Sequence, residues 1–141
     1  MSSDYPTLRQ VVLDTTNARA LAEFYRELLG YSYRPGDEPP PAGEVDARGS
    51  DWLVLRHSSG GPSVAFQQVV TLPAASWPGD STPQQLHLDL TVPRRDALDF
   101  QHARATALGA RLLLDRSDDE EEPLRVYADP AGHPFCVFVS S

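Results

Sequence analysis

Apolar and polar positions change period twice along the chain, in the same order each time. From Leu8, LRQVVLDTTN alternates as a strand does, and Thr16 or Asn17 stands where a helix would need a cap. Leu21, Phe24, Tyr25 and Leu28 then recur at helical spacing and predict one apolar face, closed by Gly30. YSYR, the loop PGDEPPPAG, and the runs DWLVLRH and PSVAFQQVV around a Ser-Gly-Gly turn complete a β-α-β-β-β order. The proline-rich TLPAASWPGDSTP interrupts it, and the order begins again. LHLDLTV predicts a strand, Arg94 to Leu108 a helix closed by Gly109, and ARLLLD, LRVYAD and PFCVFV three more strands. Gly30 and Gly109, like Gln10 and His87, recur at a spacing of roughly 80 residues, which points to an internal duplication. The expected organisation is a first βαβββ module over residues 1–71, a linker over 72–84 and a second module over 85–141.

Strand alternation sorts the side chains into two faces. Leu86, Leu88 and Leu90 oppose His87, Asp89 and Thr91; Val11 and Leu13 oppose Gln10, Val12 and Asp14. Val64, Phe66, Gln68 and Val70 oppose Ser63, Ala65, Gln67 and Val69, while Phe135 and Val137 oppose Cys136 and Phe138. Each module therefore carries an apolar back for its helix and a mixed front for chemistry.

Composition narrows that chemistry. A net charge of −8 with no extended arginine cluster disfavours a nucleic-acid partner. No apolar run is long enough to span a bilayer, and MSSDYPTLRQ lacks the features of a signal peptide, so a cytoplasmic protein without a membrane partner is expected. The single cysteine excludes an intrachain disulfide and a cysteine-rich zinc site. All twelve basic side chains are arginine, which excludes Schiff-base catalysis and a P-loop lysine. The absence of both lysine and isoleucine fits a high-GC bacterium. The acidic run 118–122 is expected to be a solvated turn.

FYRELLGY, AFQQV, LHLDLTV, ALGAR and ADPAGHPFC, in this order over a repeated module, resemble the vicinal oxygen chelate superfamily of glyoxalase I, extradiol dioxygenases and bleomycin-resistance proteins. The likeness is to its glyoxalase-like branch common in actinobacteria. It implies an α+β fold whose tandem modules form a cup-shaped mixed sheet with helices outside, and commonly a homodimer. It also implies four metal positions on the first and fourth strands of the modules, which fall here on Gln10, Gln67, His87 and Cys136. Two of these are neutral carboxamides, and Cys136 stands where relatives keep a glutamate. That donor set suits a retained dication poorly, and with one histidine it lacks the 2-His-1-carboxylate triad. No cofactor is expected, with zinc, nickel, manganese or iron as the divalent alternatives.

His87 and Asp89, on one face, are the candidate catalytic pair, the carboxylate orienting a general base. Gln10, Gln67, Trp52, Cys136 and Phe138 are candidate ligand contacts, with Trp77 as a further aromatic surface. Cys136 reads as a buried wall residue, and His133 as part of the turn AGHP. His57 and His102 read as surface residues. The expected function is metal-free binding of an aromatic or amphipathic small molecule, of the resistance or sequestration type. The alternative is an enzyme: a glyoxalase-type isomerase or lyase, or a metal-free acid/base catalyst using His87 and Asp89.

Overall fold

The structure is a computed structural model that describes residues 5–77 and 79–140. The chain divides into two compact units, the first ending at Val70 and the second beginning at Thr71. Each has one helix and a four-stranded mixed sheet, so the fold is α+β with tandem βαβββ-like modules.

In the first unit, β1 (Gln10–Thr15) leads into α1 (Ala18–Leu29), followed by β2 (Ser32–Tyr33), β3 (Trp52–Arg56) and β4 (Ser63–Gln68). The sheet order is β1-β4-β3-β2, with β1 parallel to β4 and the other pairs antiparallel. A parallel pair needs a crossover, which α1 supplies. Asn17 is the N-cap: its side chain accepts from the Ala20 N–H at 3.1 Å. Gly30 ends the helix at φ +71°, a left-handed conformation that glycine adopts without strain. Leu21, Phe24, Tyr25 and Leu28 are buried, as the spacing predicted, and so are Leu53, Leu55 and Phe66 on the sheet.

The long loop between β2 and β3 is held by charge. Asp37 is fully buried; Arg34 and Arg48 donate to its carboxylate, and so does the Val54 N–H, at 3.0 Å. Arg19, from α1, pairs with Asp46 at 2.7 Å and donates to the Asp37 carbonyl at 2.7 Å.

The second unit runs β5 (Leu88–Val92), α2 (Asp96–Ala107), β6 (Arg111–Arg116), β7 (Leu124–Ala128) and β8 (Pro134–Val139), with sheet order β5-β8-β7-β6. Its ends differ from the sequence expectation. Leu86 and His87 precede β5 and are exposed, and α2 begins at Asp96 and ends at Ala107. Only Leu98 and Ala105 are buried on α2, too few to seat it by apolar burial alone. Polar ties complete the attachment. Arg125 on β7 donates to the Leu98 carbonyl at 3.2 Å and to Asp99 at 2.8 Å, and His102 shares a 2.8 Å hydrogen bond with the buried Tyr127 hydroxyl. His102 is therefore half-buried and partnered, not the surface residue expected.

Residues 72–84 contain no helix or strand among those described, yet part of the segment is ordered by its own bonds. The Ser76 N–H donates to the Thr82 carbonyl and the Thr82 N–H to the Ser76 hydroxyl, both at 2.9 Å, which seats Trp77 against Leu124, Val126 and Cys136. No helix among the described residues is long and apolar enough to cross a membrane.

Candidate functional site

Strand register builds the front of the second module row by row. Asp89 on β5 lies beside Cys136 on β8, Cys136 beside Val126 on β7, and Val126 beside Leu114 on β6. One row along, Thr91, Phe138, Leu124 and Arg116 stand in the same sequence. A register shift between Leu112 and Leu114 turns the second half of β6 so that Leu114 and Arg116 face forward. Trp77 covers these rows from its loop, its ring stacked on His87 with centroids 6.2 Å apart and planes 13° from parallel. A cavity of about 400 Å³ results, its apolar side made by Leu114, Leu124, Val126 and Phe138 and its polar rim by His87, Asp89, Arg116 and Glu122.

His87 Nδ1 is 3.1 Å from Gln84 Oε1, and Nε2 is 3.2 Å from Asp89 Oδ1, so both ring nitrogens have partners. Arg116 is tied to Asp119 at 3.3 Å. The Cys136 thiol is buried, and its pKa is pushed up to about 11, first by that burial and then by the neighbouring Asp89 carboxylate. At neutral pH it is a thiol and not a nucleophile. A raised thiol pKa favours the folded state below the ordinary value near 9, and that contribution is lost as pH rises through about 11. Alkylation by iodoacetamide at pH 8 is accordingly expected to run about a hundredfold slower in the native protein than in urea-unfolded chain, from thiolate fraction alone. Asp89→Asn should speed the native reaction, and equal rates in native and unfolded protein would contradict the placement of Cys136.

The donor atoms of His87, Asp89 and Cys136 all lie within 4.8 Å of one another, the first and second at the exposed rim and the third buried. An imidazole, a carboxylate and a thiol at this separation need to close by less than an ångström or so to share a zinc-sized ion at bond lengths of roughly 2.0–2.3 Å. The trio would offer a divalent metal three ligands and an open position, but two of the three are exposed and His87 Nε2 is already paired with Asp89 Oδ1, which favours the cluster without an ion. A bound dication would lower the thiol pKa and act as a Lewis acid.

The structure brings together three of the expected site residues and separates others. His87, Asp89 and Cys136 form one cluster, with Phe138 in the adjoining row. Gln10 and Gln67 do not meet. Gln10 pairs with Ser63, while Gln67 lies beside Asp14 and Trp52, four positions and roughly 13 Å further along β4. Asp89, not His87, follows Gln10 at the interval separating the terminal glycines of the two helices. The next glutamine is structural: Gln68 accepts from the Ala18 N–H at 2.8 Å and donates to the Thr16 carbonyl at 2.6 Å, tying β4 to the start of α1.

Leu114, Arg116, Glu122, Leu124 and Val126 are cavity residues not anticipated from sequence. Alternation in LRVYA would have placed Leu124 and Val126 on the front, but the β6 irregularity hides Leu114 and Arg116 from any period-two reading. Glu122, taken with its neighbours as solvated, reaches the rim.

Residues 10–138 match the glyoxalase-like domain, and the chain belongs to that family. Solved structures agree at the level of the fold. A glyoxalase/bleomycin resistance protein/dioxygenase family enzyme from Burkholderia phytofirmans is 16% identical with a TM-score of 0.66, over 95% of this chain and 98% of that one. A variant of the fosfomycin resistance protein FosX from Listeria monocytogenes, complexed with Mn(II) and 1S,2S-dihydroxypropylphosphonic acid, is 14% identical with a TM-score of 0.68, over 97% and 94%. A glyoxalase/bleomycin resistance protein/dioxygenase from Nocardioides is 16% identical with a TM-score of 0.61, over 98% and 85%. These likenesses concern the fold alone. No match is found among curated proteins.

Proposed function

We propose that this protein binds a small aromatic or amphipathic molecule in the second-module cavity and acts by holding it, without a metal. The observation that carries this reading is the cavity of about 400 Å³ closed on one side by the stacked Trp77 and His87 and on another by aliphatic side chains. Its volume falls within the usual range of roughly 300–1,000 Å³ for small-molecule sites. Flat rings suit the indole, and the acids set the charge: Asp89 and Glu122 reach the rim, while the Arg116 charge is engaged by Asp119. The favoured ligand is an aromatic cation. Cys136 and Phe138 serve as wall, and Trp52 with Gln67 offers a further surface on the first module's front. The protein acts in the bacterial cytoplasm as a homodimer, a reading supported by the family resemblance. A thermal-shift screen of flat dyes tests the proposal: saturable stabilisation by aromatic cations is expected, and a flat response across cations, anions and neutral rings would overturn it.

The cluster of three donors favours a second reading, a metal-dependent isomerase or lyase of glyoxalase type in which His87, Asp89 and Cys136 hold the ion. Bound FosX from Listeria monocytogenes, complexed with Mn(II), lends it a structural parallel. His87 oriented by Asp89 could equally serve as a general base with no metal at all. Calorimetric titration with zinc, nickel, manganese(II) and iron(II) separates the readings. One tightly bound equivalent that is lost in both His87→Ala and Cys136→Ser would establish the metal centre and displace the metal-free proposal; no binding above the buffer background is the expected result.

A further inference from the structure

We propose that the first module carries a separate anion site, at the end of its sheet opposite the Trp52 and Gln67 row, for a phosphate monoester with an apolar organic part. A second cavity, of about 410 Å³, lies there. Arg9 and Arg56 line it together with His57, Leu8, Pro62 and Ser63, and no Asp or Glu is among its lining residues. The chain has 20 acidic and 12 basic side chains, and among the described residues seven of the other ten arginines pair with carboxylates. Neither the Arg9 nor the Arg56 guanidinium has a hydrogen-bond or ion-pair partner among the described residues.

The backbone brings both arginines to the same end of the sheet. The Ser63 N–H donates to the Arg9 carbonyl at 3.0 Å, which brings the lead-in to β1 alongside the start of β4. On the other side of β4, Leu55 pairs with Val64, so the next residue, Arg56, stands opposite Ser63. The two arginines thus flank Ser63 from both neighbouring strands, Arg56 on the face of Ser63 and Arg9, one residue before Gln10, on the other, so that they reach the cavity around the end of the sheet. The turn between β3 and β4 supplies the third donor. Gly60, at φ +83°, closes it with an N–H bond to the His57 carbonyl at 3.1 Å. The Ser59 N–H donates to His57 Nδ1 at 3.0 Å, which leaves the proton of the neutral ring on Nε2. Two forked guanidinium groups and an imidazole N–H suit a tetrahedral dianion better than a planar monoanion. The cavity is far larger than a phosphate group, and the exposed Leu8 with Pro62 gives the remainder of the ligand an apolar surface.

Phenyl phosphate, inorganic phosphate and phenol are the probes, titrated against the full chain by 31P and proton NMR at constant ionic strength set with sodium chloride. Saturable binding of phenyl phosphate is expected, with inorganic phosphate weaker and phenol weaker still. Arg9→Ala and Arg56→Ala should each reduce affinity by about tenfold or more, while Arg111→Ala, at an exposed β6 position outside the cavity, leaves it unchanged. Inorganic phosphate binding as tightly as the ester would keep the anion site and remove its organic specificity. Failure of any phosphate to saturate, or equal losses in Arg111→Ala and Arg56→Ala, would overturn the site. Because the dye screen addresses the other module, its failure and this one are distinguishable.

Discussion

Asp37→Ala is expected to cost about 2–4 kcal/mol of unfolding free energy, the largest effect of any single side chain in the loop between β2 and β3. The carboxylate is fully buried and accepts from Arg34, from Arg48 and from the Val54 N–H. Alanine leaves that N–H without its acceptor inside the fold and frees two guanidinium groups. Both arginines are partly exposed, at 35% and 58%, so water can reclaim their charges and the loss stays below that of a fully buried pair. Asp37→Asn retains an oxygen for Val54 but not the charge, and should fall about midway. Urea unfolding followed by circular dichroism measures both. If Asp37→Ala shifts stability by less than about 0.5 kcal/mol, the loop is not anchored by this carboxylate.

That loop also marks where the sequence ceases to be legible. PGDEPPPAG reads as turn chemistry, and nothing in its period shows that Asp37, rather than Glu38 beside it, becomes buried with two arginines. The anchoring partner Arg48 is eleven residues away, beyond the range of a local pattern. The elements themselves were readable for the opposite reason. Leu21, Phe24, Tyr25 and Leu28 report their face through spacing alone, because one helix buries one stripe. The second helix lacks such a stripe and is seated by Arg125 and Tyr127 on a distant strand; the His102 contact could not be foreseen.

The candidate site divides along the same line. Alternation placed Asp89 and Cys136 on one face, and the register sets them side by side. It could not place Gln67, because alternation identifies a face but not a row, and Gln10 and Gln67 share the face four positions apart. Trp77 posed the converse difficulty. Its surroundings look like a linker in composition, since serine, proline and glycine signal turns, whereas the closure between Ser76 and Thr82 depends on one hydroxyl and three backbone groups.

Trp77→Ala is expected to weaken binding of a flat aromatic cation, with thioflavin T as the probe, by about thirtyfold, or roughly 2 kcal/mol. The indole stacks on His87 and forms one side of the cavity, so its removal opens that side to water and takes away the ring that a flat ligand would meet. Stability should change less, by about 1 kcal/mol, because Trp77 is only half-buried and caps the Leu124, Val126 and Cys136 cluster from outside. With two tryptophans in the chain, Trp52→Phe leaves Trp77 as the only indole, and quenching of its emission reports occupancy directly. Charge provides the control. Anilinonaphthalene sulfonate, a flat anion, should bind more weakly than thioflavin T, and Glu122→Gln should narrow the gap by removing an acid from the rim. Equal thioflavin T affinity in wild type and Trp77→Ala would move the ligand away from this cavity, and preference for the anion would reverse the charge assigned to it.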